Sequence, residues 1–245
     1  MIKNAFKMVA LAAILLSATS CDVLQAVLNS QTQTQGGTGA TTAGKLSSGE
    51  VGAGLKEALE KGAVFAGSKA SQENGFFKNP LLFIPFPPEI KKVENTLRNL
   101  GMNKLADDFV LSLNRGAEKA AREAAPIFIG AIRKMSISDA FSVLRGGQNA
   151  ATVYLKTNTQ AELLSKFRPV IEKSLAEVSA TKYWADVSAV YNKVPFVTPV
   201  NTDLTGYVTD KAVSGLFTLV EEQERKIREN PIERTSELLK KVFAQ

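Results

Sequence analysis

The chain has 245 residues, of which 44% are apolar and 22% charged, and it carries a formal net charge of +6; this is the composition of a water-soluble globular chain, neither disordered overall nor polytopic. It holds no histidine and a single cysteine, Cys21, which excludes internal disulfides, Cys/His zinc sites, Ser-His-Asp triads, Cys-His dyads and Glu-x-x-His di-iron sites. The residues imply no cofactor, and the spaced Asp/Asn/Gly loop of a calcium site is missing, so only a carboxylate-only metal site stays open.

Lys3 and Lys7 give the N-terminus a positive start, and Met8 to Leu16 follow as an unbroken apolar run. That run is too short for a bilayer, which takes about 20 residues, but it suits a secretory signal. Ser17-Ala18-Thr19-Ser20 directly before Cys21 resembles the lipobox of bacterial lipoproteins, with Ala18 where Leu is usual. The expectation is a signal peptide over residues 1–20, removed to leave a lipid-modified Cys21. A free exposed thiol is a liability in an oxidising compartment, whereas several acyl chains give stable anchoring. Ordinary signal cleavage beside an incidental cysteine is the alternative. Residues 21–45 form the lipidated end and a tether: Asn29 to Gly44 has no large apolar side chain and no charge, so it cannot bury enough surface to offset its ordering entropy. As a coil it reaches roughly 20 to 25 Å.

From residue 46 to 245 the pattern is helical. Ser47-Ser48-Gly49-Glu50 has capping-box form, followed at helical spacing by Val51, Leu55, Ala58, Leu59 and Gly62. Pro88-Glu89 predicts a second helix with Ile90, Val93, Leu97 and Leu100 on one face and Gly101 as its stop. A third runs from Lys104 to Pro126, where the chain kinks or restarts. Ser136 to Asp139 opens a short helix that ends at Gly146-Gly147, and Thr159 to Glu162 reads as a further capping box leading into Leu163, Phe167, Ile171 and Leu175. Helices around Tyr183 to Tyr191 and from Thr209 to Glu229 follow, with a last one opened by Pro231. Leu81 to Phe86 and Val194 to Val200 are apolar, proline-flanked and short, which suits extended segments able to pair as a small ribbon. The predicted fold class is all-α: one irregular bundle of seven or eight helices with at most one small β ribbon.

A series of strings runs through this region in fixed order: Asn114-Arg115-Gly116-Ala117-Glu118, Ala125-Pro126-Ile127-Phe128, Met135 to Ala140, Ala150 to Leu155, Phe167-Arg168-Pro169, Gly215-Leu216-Phe217, Glu224 to Pro231, and Leu238 to Phe243. The ordered series, covering Leu46 to Phe243, resembles the bacterial domain-of-unknown-function family 4197. Gly116, where alanine is more typical, and Arg145-Gly146-Gly147, where Thr-Gly is, depart from that pattern. The resemblance implies a secreted or lipid-anchored helical protein and brings no established activity.

In the third helix Ala106, Val110, Leu113, Ala117, Ala120, Ala121 and Ala124 fall on one arc, with Asn114 inside it and Glu118 on its border. In the penultimate helix Glu224 projects into the stripe of Val213, Leu216, Phe217, Val220 and Ile227, with Arg228 one turn on. A buried amide or carboxylate needs partners, so Asn114, Glu118, Glu224 and Arg228 are expected to meet in one satisfied cluster, which either fixes helix register or lines a pocket. Glu221 with Arg225 and Glu222 with Lys226 suit i,i+4 pairs on a solvated face.

Gly62 to Lys69 inverts the Lys-Ser order of a phosphate loop, and Ser179 to Lys182 matches Ser-x-x-Lys without its companion strings; both are chance matches. No basic run or aromatic platform suits nucleic acid. With the signal removed the charge falls to about +4, compatible with an anionic envelope surface. Phe76, Phe77, Leu81 to Ile84 and Phe86 are too apolar for an exposed loop and either pack on the bundle or form a docking patch. Two functional expectations stand. One is an exported, lipid-anchored binding or structural module of the bacterial envelope, touching the membrane through its lipid and taking an envelope protein or an apolar ligand. The other is an envelope enzyme with Glu118 or Glu224 as acid or base, which requires an open cleft around those carboxylates.

Overall fold

The structure is a computed structural model that describes residues 47–88, 91–177, 203–234 and 237–242, together with 180–181, 184–185 and 192. Helix α1 (Ser48–Ser71) begins as its sequence dictates: the Ser47 hydroxyl accepts from the Glu50 amide, and the Glu50 carboxylate returns to the Ser47 amide. Its buried face is made largely of Gly and Ala. The backbone of a neighbour can therefore come close, and a Cβ built on Gly67 would lie 3.1 Å from the Cβ of Ala125.

After the turns of residues 72–86 comes α2 (Lys91–Asn99). Gly101 ends it in the left-handed region at φ 78°, and the Met102 amide reaches back to the Leu97 carbonyl while the Gly101 amide bonds that of Arg98, the paired bonds of a Schellman stop. Leu100, expected on the buried face, is 70% exposed, and Glu94 is buried instead. Helix α3 (Asn103–Ala120) passes through one 3-10 turn (Ala121–Glu123) into α4 (Ala124–Lys134). Pro126 therefore falls in the first turn of a new helix, where its missing N–H costs nothing. A second capping box, Ser136 with Asp139, opens α5 (Ile137–Arg145).

Helix α6 (Ala150–Glu177) runs unbroken through both Thr159 and Pro169, which corrects the expected start at Thr159. The Thr159 hydroxyl donates 2.6 Å back to the Leu155 carbonyl, an alternative to capping that Thr has inside a helix. Helix α7 (Leu204–Glu229), capped by Asp203, precedes a 3-10 turn (Pro231–Glu233) and α8 (Glu237–Val242). The described part of the chain is thus an all-α bundle of eight helices, and no strand occurs among the described residues. The segments Tyr183 to Tyr191 and Val194 to Val200 fall mostly or wholly outside them.

Helices α6 and α7 pack along each other, α3 lies on α6, and α1 crosses α4, α5 and α7. The Ala/Val/Leu arc of α3 and the Val/Leu/Phe stripe of α7 are buried at every position named above. Phe76, Leu82, Ile84 and Phe86 also pack into the core, leaving Leu81 and Phe83 exposed. No helix among the described residues is long and apolar enough to cross a membrane.

Candidate functional site

All four singled-out polar residues are sheltered, with Asn114 at 0% exposure, but they do not meet. They form two separate anchors. In the first, the Asn114 amide accepts from the Ile84 N–H at 2.9 Å and donates to the Ile84 and Val110 carbonyls at 2.9 and 2.8 Å. It thereby supplies Ile84 with the donor and acceptor that a neighbouring strand would offer, while the expected extended stretch from Leu81 begins instead as a turn, with the Leu82 and Phe83 amides bonded back to the Asn79 carbonyl. One turn along α3, the Glu118 carboxylate accepts from the Phe76 and Phe77 amides at 3.1 and 3.2 Å and pairs with Arg115, which also reaches Glu73 and Asn74.

The second anchor sits on α7. Glu224 accepts from the Ala151 and Thr152 amides at 2.9 and 2.8 Å and from the Thr152 hydroxyl, which are otherwise free donors of the first turn of α6. Arg228 pairs with Glu224 at 2.8 Å and donates to the Val143 and Leu144 carbonyls at the end of α5. One turn of α7 therefore places a carboxylate at a helix N-terminus and a guanidinium at a helix C-terminus, each the sign the helix dipole favours. On the outer face Lys226 pairs with Glu222 as expected, whereas Arg225 pairs with Glu229 in place of Glu221.

Both carboxylates spend their lone pairs on the protein's own donors. The cavity beside Glu224, between α1, α6 and α7, holds about 30 Å³, room for a water or two. The open cleft that acid–base chemistry at these carboxylates requires is not formed by the described residues around them. Among the same residues no group of three or more acidic or cysteine side chains is placed to hold a metal. Cys21 lies outside the described residues.

The concavity suited to a ligand is elsewhere. A groove of about 650 Å³ lies between α2, the outer face of α3 and the end of α6, within the size range of small-molecule sites. Phe86, Phe109 and Trp184 stack along it with ring centroids 4.7 and 6.3 Å apart. Leu97, Leu105 and Leu111 complete its apolar wall. Its polar groups are unevenly spread. Asp108, paired with Lys104, sits toward the start of α3; Arg115, Lys119 and Ser174 lie toward its other end. Lys119 bonds Glu177 at 2.9 Å and, by that bond and its charge, holds the Glu177 carboxyl below the usual carboxylate range, with Lys173 adding to the effect. Ser174 is 5% exposed and lines this end of the groove.

Reading the sequence for anomalies inside the core stripe finds Asn114 and Glu224 but passes over Phe109, Ser112 and Trp184. The signal was the width of the apolar arc on α3: Leu105, Phe109 and Ser112 follow one another at helical spacing beside the alanine stripe, a second face that runs from exposed at Leu105 to buried at Ser112. The model of one family, described as protein of unknown function (DUF4197), matches residues 45–244. No curated protein and no solved structure matches the chain.

Proposed function

The chain belongs to the DUF4197 family of proteins of unknown function, and from that premise we propose that it is a lipid-tethered binding module of the bacterial cell envelope that takes an apolar ligand. The observation that carries the binding role is the groove between α2, α3 and the end of α6, whose wall is mainly aromatic and aliphatic. The N-terminal sequence supports the address: a basic start, an apolar run and small residues before the sole cysteine, Cys21. A membrane anchor on Cys21 brings such a groove within reach of envelope lipids.

Two measurements test it. Cells fed an alkynyl fatty acid should label the wild-type chain and leave a Cys21→Ser variant blank; equal labelling of the two refutes the anchor. Trp184 is the only tryptophan and lines the groove, so its emission reports occupancy directly. A neutral apolar probe such as phenylnaphthylamine should quench it saturably, and Leu105→Glu, at a position 42% exposed, should weaken that quenching without unfolding the chain. Absence of quenching at any probe concentration refutes the binding role.

A further inference from the structure

Resting on that reading of the groove, we infer that its ligand is a single long acyl chain ending in a carboxylate, lying along α3 with its head at Lys119 and Ser174. Three observations fix the chemistry. The first is length. The groove touches α3 from Leu105 to Lys119, about 21 Å at 1.5 Å per residue. An all-trans carbon chain advances about 1.26 Å per carbon, from a 1.52 Å C–C bond at a tetrahedral angle. The groove therefore matches about 16 carbons laid straight.

The second is polarity. The Phe86–Phe109–Trp184 run and Leu97, Leu105 and Leu111 make an apolar wall, and at the Leu105 end Asp108 is paired with Lys104, an ion pair with no cation to spare for an anionic head. At the opposite end the groove wall carries two cations, Arg115 and Lys119, the latter bonded to Glu177 at 2.9 Å. The Lys119–Glu177 pair is half exposed on both sides, and such pairs contribute little, so Lys119 is easily turned to a new anion. Arg115 is not: it is committed to Glu118, Glu73 and Asn74. The third is Ser174, whose hydroxyl belongs to the groove wall at the same end as Lys119, where a carboxylate oxygen can accept from it.

The test is titration of Trp184 emission in the full chain with hexadecanoic acid, its methyl ester and hexadecanol. The acid should bind more tightly than either neutral ligand. Lys119→Gln should weaken the acid about threefold to fivefold, the range open to an exposed ion pair, and leave hexadecanol unchanged. Glu177→Gln, which frees Lys119 from its competitor, should tighten the acid and again leave hexadecanol unchanged. Equal affinity for acid and alcohol, or variants that move both alike, overturns the carboxylate while the apolar groove stands. Phenylnaphthylamine binding without any acyl ligand overturns the chain, and binding of nothing removes the reading on which both rest.

Discussion

Replacing Asn114 with leucine should cost this fold a large part of its stability, because the side chain serves a buried peptide that has no other hydrogen-bond partner among the described residues. Asn114 and Ile84 are both fully buried, and the amide closes the Ile84 N–H and C=O at 2.9 Å each. The Val110 carbonyl, its third partner, keeps its helical bond and loses little. Each orphaned buried group costs about 1–3 kcal/mol, so Asn114→Leu, which also excludes water, should cost about 2–6 kcal/mol. For a domain of this size, at about 2–4 °C per kcal/mol, the melting temperature falls by roughly 10 °C. Asn114→Ala leaves room for a water to reach Ile84 and should lie at the lower end of that range. Urea unfolding followed by Trp184 emission and far-UV circular dichroism gives the free energy, and hydrogen exchange at the Ile84 amide locates the damage. A loss under about 0.5 kcal/mol with the Ile84 amide still protected refutes the reasoning.

Glu224→Ala strips Arg228 of its carboxylate in a sheltered corner and frees the α6 amides; a loss of about 3–5 kcal/mol is expected in urea unfolding, and a surface-like effect under 1 kcal/mol contradicts the double cap. Gly116→Ala places a Cβ 3.7 Å from that of Ser174, an ordinary contact, and should stabilise α3 by up to about 1 kcal/mol. Gly67→Ala should do the opposite by about 1–3 kcal/mol, since the new Cβ lies 3.1 Å from the Ala125 Cβ and 3.3 Å from its backbone nitrogen; matched melting curves separate the two. Burial raises the Glu94 carboxyl, but hydrogen bonds from Lys91 and Arg98 outweigh it and leave the group below the usual carboxylate range. A depressed folded value means stability that is present above the unfolded carboxyl's range and lost as pH falls through the folded one. Protection factors in α2, corrected for the intrinsic exchange rate at each pH, should therefore fall on acidification below about pH 4.5, near the unfolded carboxyl range, and Glu94→Gln should abolish that dependence.

The helices were legible because their signals are local. Ser47 with Glu50 and Ser136 with Asp139 cap where spacing says they do, and Gly101 stops α2 because only the left-handed region closes that turn. Thr159 misled because the same hydroxyl that caps a helix start can satisfy itself on the preceding turn of a helix that continues. The burial of Asn114 and Glu224 was readable from their place within apolar stripes; their partners were not. Those partners are backbone groups of Ile84, Ala151 and Thr152, and nothing in the identity of a residue announces that its main chain lacks a partner. The groove was hidden for a related reason: among the described residues it is made by three separate elements meeting around Phe109 and Leu105, and periodicity records which faces are apolar without recording how closely their neighbours approach.

Glu224 and Arg228 rivet the start of α6 to α5 and α7, whereas α2, at the far end of α6 beside the groove, is only lightly held. Of its side chains only Glu94 is buried, with Val93 and Leu97 partly so, and its described packing is chiefly on α3. Breathing costs least where few contacts are broken. Of the elements that wall the groove, α2 is therefore the one whose amides should exchange first, ahead of those of α3 and α6.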